Sequence, residues 1–165
     1  MSSFTQFNAG LSVELLPQTR TSLWQKLFGQ PEYKVTKTFQ YYVNKKDENL
    51  YVAVPQGFVT DLATIPWAIR WLLPPNGKYG QAAVVHDYLT DGCAITKVTA
   101  HGVVNVYPTR AEADKIFLQA MVVLRVPKLT RLTMYYAVRL YSMIVRKDRI
   151  VAKDPKLFIL ADPTV

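Results

Sequence analysis

Soft metal ligands and cross-links are scarce in this chain. Its one cysteine, Cys93, excludes an internal disulfide framework and any cysteine-rich zinc site. Two histidines, His86 and His101, are too few and too far apart for the zinc-peptidase patterns that set two or three on one helix or strand. No apolar run reaches the ~18–20 residues of a membrane span, and residues 1–10 lack the basic and apolar regions of a secretory signal. The expected place of synthesis and first residence is the cytoplasm. Acid is scarce toward the C-terminus. From Arg125 to Lys156 nine Lys and Arg face only Asp148 and Asp154, so this stretch carries +7 of the chain's net +8. Such a stretch can meet an anionic lipid or cell-envelope surface, an acidic protein or nucleic acid, or be a solvated helix face. Nucleic acid is the least supported, since no helix-turn-helix, finger or RNP pattern accompanies the charge.

What remains is ample for a core. Half of the 165 residues are hydrophobic and 19 % are charged, which excludes wholesale disorder and fits one domain over residues 1–165. Residues 1–60 read as mostly β with one short helix, 61–147 as a helical core, and 148–165 as a basic C-terminal extension. Residues 11–16 alternate loosely before Pro17, as an edge strand does. An amphipathic helix is expected over 21–29, stopped by Gly29. Segments 33–44 and 50–60 read as the arms of a β-hairpin, with Pro55 and Gly57 marking a bulge or kink. A helix is expected after Thr64-Ile-Pro66, another over 79–90 ended by Asp91-Gly92, and a loop or small hairpin over 94–107. Thr109 and Glu112 form a capping box that should start a helix running to about Arg125. A last helix is expected over about 129–146. The fold class is therefore α+β: an N-terminal β-hairpin or small antiparallel sheet packed on a bundle of three to four helices.

The residues that can do chemistry converge on two of these helices. His86 shares its face with Ala82, Ala83 and Leu89, so it should point inward. Asp114 shares a face with Phe117 and Met121 on the capped helix. A lone buried carboxylate is costly and normally has a partner. His86 is the one histidine on a helix, so the economical expectation is a hydrogen bond from His86 to Asp114 across two packed helices. That pairing would fix the imidazole tautomer and leave the other nitrogen able to take a proton from water. Asp87 and Asp61, with the backbone carbonyl of Leu62, could supply hard oxygen ligands for a divalent cation beside it. The alternative is a satisfied polar network of Thr60, Asp61, His86, Arg110 and Asp114 tying the helices to the hairpin. Trp67 and Trp71 read as core or as a lipid-facing ledge. Arg110, Arg131, Arg139, Arg146 and Lys147 are the basic candidates for binding a partner.

Three segments together resemble a known family. They are Gly57-Phe-Val-Thr-Asp-Leu-Ala-Thr-Ile-Pro66, His86-Asp-Tyr-Leu89, and Arg110 followed by Ala113-Asp114, Phe117 and Ala120-Met121. They are similar to small phage and prophage proteins of unknown function, the domain-of-unknown-function family 1353, whose last helix resembles Met134–Arg139. The resemblance implies a phage origin, residence in the virion after synthesis in the host cytoplasm, and other phage structural proteins as partners. A looser resemblance is to bacterial phospholipases A2, in the order of an Asp-Leu pair, a helical His-Asp pair and an inward Asp on the next helix. It implies His86 as the base that activates water, Asp114 as its orienting partner, and Asp87, Asp61 and the Leu62 carbonyl as holders of calcium or another divalent cation. The sequence departs from those enzymes in lacking their disulfides, their cysteine-flanked His-Asp signature and a glycine-rich calcium loop.

Three functions are expected to compete. The first is a virion-associated tail, neck or capsid accessory protein carrying a metal-assisted His/Asp ester hydrolase site. The second is a purely structural or adaptor virion protein in which the pair is a core polar network. The third is an early phage protein that binds a host factor through its basic stretch.

Overall fold

A computed structural model of the chain describes residues 6–17, 32–43, 49–60 and 79–146. The expected helices at 21–29 and after Thr64 lie outside the described residues. Seven strands are described: β1 (Val13–Leu15), β2 (Tyr33–Val35), β3 (Phe39–Tyr42), β4 (Leu50–Val54), β5 (Val59–Thr60), β6 (Ile95–Thr99) and β7 (Gly102–Val106). Three α-helices are described: α1 (Gly80–Thr90), α2 (Arg110–Val123) and α3 (Lys128–Tyr141), the last running into a π-helical turn, Ser142–Arg146.

The expected hairpin forms, but each arm breaks in two. β3 and β4 pair with Phe39 opposite Val54 and Tyr41 opposite Val52. Beyond the breaks, β2 and β5 pair with Tyr33 opposite Thr60. One hairpin thus feeds two antiparallel sheets, ordered β1-β2-β5 and β3-β4-β6-β7. The break after β4 is made by Pro55, which cannot donate to a ladder, and by Gly57, whose φ of 92° closes a turn that a side chain would strain. Its N–H and the N–H of Val35 hold the corner, bonding Val35 O and Phe58 O at 2.8 Å each. β1 is an edge strand, as its loose alternation suggests.

Phe39, Tyr41, Val52 and Val54 are fully buried, because alternate residues of β3 and β4 turn to the same side. Phe7 caps this layer, its ring centroid 4.7 Å from that of Tyr41. The Tyr41 hydroxyl is buried and, among the described residues, has no hydrogen-bond partner, and burial raises its pKa far above the ordinary tyrosine range.

The helices do not form the expected bundle of three to four behind an N-terminal hairpin. Segment 94–107 is a second hairpin, β6–β7, that lies between α1 and α2 in sequence and extends the sheet through β4. α1 packs on β4 and β5 as well as on α2, and α2 is in turn covered by α3, so the helices are layered onto strands. The reason lies in α1 itself: Ala82, Ala83, Val84 and Val85 are all fully buried, and a helix apolar all round needs cover on every side.

Helix ends follow local chemistry. Thr109 and Glu112 form the capping box at the start of α2. At the end of α1, the N–H of Cys93 bonds Tyr88 O and that of Gly92 bonds Leu89 O, a Schellman closure with Gly92 left-handed at φ 88°. The same closure ends α2, from Val126 to Met121 O and from Arg125 to Val122 O, but here a non-glycine residue, Arg125, holds the left-handed position at φ 54°. No helix among the described residues is long and apolar enough to cross a membrane.

Candidate functional site

The site is assembled by one residue from each helix. On α1, His86 follows the apolar run that buries the helix, and only 5 % of it is exposed. On α2, Asp114 lies in the stripe of Ala113, Ile116, Phe117, Ala120 and Met121 and is fully buried. The two groups meet as expected, with His86 Nε2 2.8 Å from Asp114 Oδ1. A carboxylate can only accept, so Nε2 donates, and in the neutral ring Nδ1 is then the nitrogen with the lone pair. The ring packs against Phe117, centroid to centroid at 5.1 Å, one turn along α2 from Asp114. Packing and hydrogen bond together leave the imidazole little freedom.

A third group was not foreseen as a partner. Arg139 on α3 donates from Nη1 to Asp114 Oδ2 at 3.4 Å. The sequence places Arg139 in the basic stretch, but it also stands four residues after Tyr135 and three before the buried Ser142, a spacing that turns it partly inward. Asp114 is therefore bracketed, an imidazole on one oxygen and a guanidinium on the other. That arrangement offsets the large cost of burying the carboxylate.

The opposite side of the ring is different. His86 Nδ1 is buried and, among the described residues, has no hydrogen-bond partner. A buried acceptor left unpaired costs about 1–3 kcal/mol, and such groups usually have a reason to persist.

Asp87, next in sequence, turns toward the strands, where its Oδ2 accepts a 2.5 Å hydrogen bond from the Thr60 hydroxyl on β5. Asp87 and Thr60 line a cleft of about 360 Å³ with Glu32, Phe58, Val59, Thr90 and Asp91. Of the three expected metal ligands, Asp61 and Leu62 lie outside the described residues. Among the described residues no group of three or more His, Cys, Asp or Glu is arranged to hold a metal ion. The one expected ligand among the described residues, Asp87, is engaged by the Thr60 hydroxyl.

The polar-network alternative is met in part. Thr60 bonds Asp87 rather than His86, and Arg110 reaches across from α2 to Thr90 O at 3.4 Å. Arg131 donates to Val126 O at 3.4 Å. Arg110, Arg131 and Arg139 thus all make hydrogen bonds within the chain. Trp67, Trp71, Lys147 and the side chain of Arg146 lie outside the described residues. His101 is exposed at the β6–β7 turn. Cys93 is a half-buried thiol beside Tyr88. Burial, and then the neighbouring Cys93 and Tyr107, push the Tyr88 hydroxyl up to about 12.

Fold and site together define an α+β domain with a His–Asp pair buried between two helices and anchored by an arginine from a third. The chain matches the family model described as "Protein of unknown function (DUF1353)" over residues 33–138, and it belongs to that family. No curated protein and no solved structure matches it.

Proposed function

We propose that this chain is a phage-encoded, virion-associated protein whose His86–Asp114 pair is a hydrolytic centre for a carboxylic ester of lipid or cell envelope. The observation that supports this reading is the unpaired Nδ1 of an imidazole whose other nitrogen is held at 2.8 Å by a buried acid. Asp114 fixes the tautomer with its proton on Nε2, and Phe117 fixes the ring plane. Nδ1 is then the base. It takes a proton from a water molecule, which must first be admitted to this buried nitrogen together with the ester, while the water oxygen bonds to the ester carbonyl carbon. The proton then passes from Nδ1 to the departing alkoxide as the carbon–oxygen bond breaks, leaving acid and alcohol. Arg139 holds Asp114 in place from its other oxygen, as a positioning residue. Phage origin and residence in the particle follow from the resemblance to phage and prophage proteins.

The test is hydrolysis of dispersed ester and phospholipid substrates by the full chain, with calcium and with a chelator. His86→Ala should lower the activity by about 10²-fold or more, the usual worth of a general base, when assayed well below the variant's own, reduced melting temperature. No turnover in either condition would overturn the hydrolytic reading. Mass spectrometry of purified particles tests the virion assignment, and absence of the chain contradicts it.

The structural reading has its own support in Arg139. A carboxylate with both oxygens engaged can serve as a lock between three helices without any chemistry. Under that reading His86→Gln lowers stability and nothing else.

A further inference from the structure

α3 has two apolar faces, and among the described residues only one is packed against the rest of the fold. Met134 and Val138 are buried. On the other side Leu129 is 81 % exposed, Tyr136 64 %, Leu140 58 %, and Met143 and Ile144 in the π-turn 60 % and 71 %. Positions 129, 136, 140 and 143 are spaced by seven, four and three, so they form one stripe along the helix, about 21 Å long at 1.5 Å per residue. Folded chains rarely leave such a contiguous apolar patch facing water without a use for it.

The charges decide what covers it. From Lys128 to Arg146 there is no Asp or Glu, but there are Lys128, Arg131, Arg139 and Arg146. Arg125 and Lys128 are exposed at the start of the stripe. In the sequence past its end come Lys147, Arg149, Lys153 and Lys156 against Asp148 and Asp154. A second copy on this face would bring no acid to pair with Arg125 and Lys128. An apolar ridge with a basic start and no acid along it suits an anionic plane. Tyr136 and the 46 % exposed Tyr141 add rings of the kind that settle at a water–lipid boundary.

We propose that this stripe docks the protein on an anionic lipid bilayer. The helix lies in the surface plane, Leu129, Tyr136, Leu140, Met143 and Ile144 enter the boundary between headgroups and acyl chains, and Arg125 and Lys128 meet lipid phosphates. That the bilayer also holds the ester substrate rests on the hydrolytic reading; the docking itself does not.

Flotation of the full chain with phosphatidylcholine vesicles, with and without phosphatidylglycerol, tests the proposal. The wild type should float with the anionic vesicles and less so at high salt. Tyr136→Ser/Leu140→Ser, at two exposed positions, should weaken binding by about tenfold or more at unchanged melting temperature. Leu129→Ser serves as a second variant should the pair fail to fold. Absence of flotation, equal binding to neutral vesicles, or binding untouched by the stripe variants would overturn the docking. So would a dimer in sedimentation that these variants dissolve, which would make the stripe a self-interface. His86→Ala should float like the wild type. A chain that floats but hydrolyses nothing retains the docking and loses the hydrolase; one that hydrolyses dispersed ester without floating does the reverse.

Discussion

Asp114 holds His86 by one carboxylate oxygen at 2.8 Å and receives Arg139 on the other at 3.4 Å, so one buried acid fixes three consecutive helices. The acid is the member whose loss is felt most. Asp114→Ala should destabilise the fold by about 3 kcal/mol, at the lower end for a broken buried pair because Arg139 keeps partial contact with water. Urea unfolding measures this. A double-mutant cycle with His86→Ala should give a coupling of about 1 kcal/mol or more, and additivity within error would show the contact to be idle.

Thr60 and Asp87 carry the tie between α1 and the strands. Thr60→Val keeps the shape and removes the hydroxyl, leaving Asp87 one donor short. The expected loss is about 1–2 kcal/mol in chemical denaturation, as for a hydrogen bond to a charged group.

Arg125 occupies a left-handed position where the Schellman closure favours glycine. Arg125→Gly should therefore stabilise the protein by up to about 1 kcal/mol, after the larger backbone entropy of glycine in the unfolded chain is subtracted. A rise in the urea midpoint checks it. A fall would mean that the Arg125 side chain contributes more than its backbone costs.

Alkali should loosen the fold. The Tyr88 hydroxyl is raised from 10.0 to about 12 by burial and its neighbours, so the folded state favours the neutral phenol. For a group with a raised folded pKa the stabilisation is whole below the unfolded value of 10.0 and is lost as pH climbs toward about 12. Tyr41, raised further by burial, acts in the same direction. Urea midpoints should hold steady up to pH 10 and decline above it, and Tyr88→Phe should soften the decline.

Signals confined to a few neighbouring residues were legible in the sequence. The capping box at Thr109, the Gly92 stop and the inward faces of His86 and Asp114 all follow from spacing along one helix, and the structure places them as read. The split hairpin was only half legible. Pro55 and Gly57 marked one break, but 36–38, between β2 and β3, carries no comparable signal, and the exchange of partners between sheets is decided by tertiary pairing. β-branched 94–107 left hairpin and loop open, because its pairing with β4 depends on residues far away in sequence (Leu50 opposite Lys97). The role of Arg139 was hidden by counting it with the other cations of its stretch; charge totals do not say which one turns inward. The unpaired Nδ1 is the absence of a neighbour, and no local pattern encodes that.

Hydrolysis by this pair needs a bare Nδ1 on His86 while Asp114 holds the proton-bearing Nε2. Nitrogen-15 NMR of the imidazole at neutral pH reads this directly. The expected result is a protonated Nε2 coupled to Asp114 and an unprotonated Nδ1, with the Nε2 assignment lost in Asp114→Asn. A proton resident on Nδ1 with Nε2 bare, or one on each nitrogen, would contradict it.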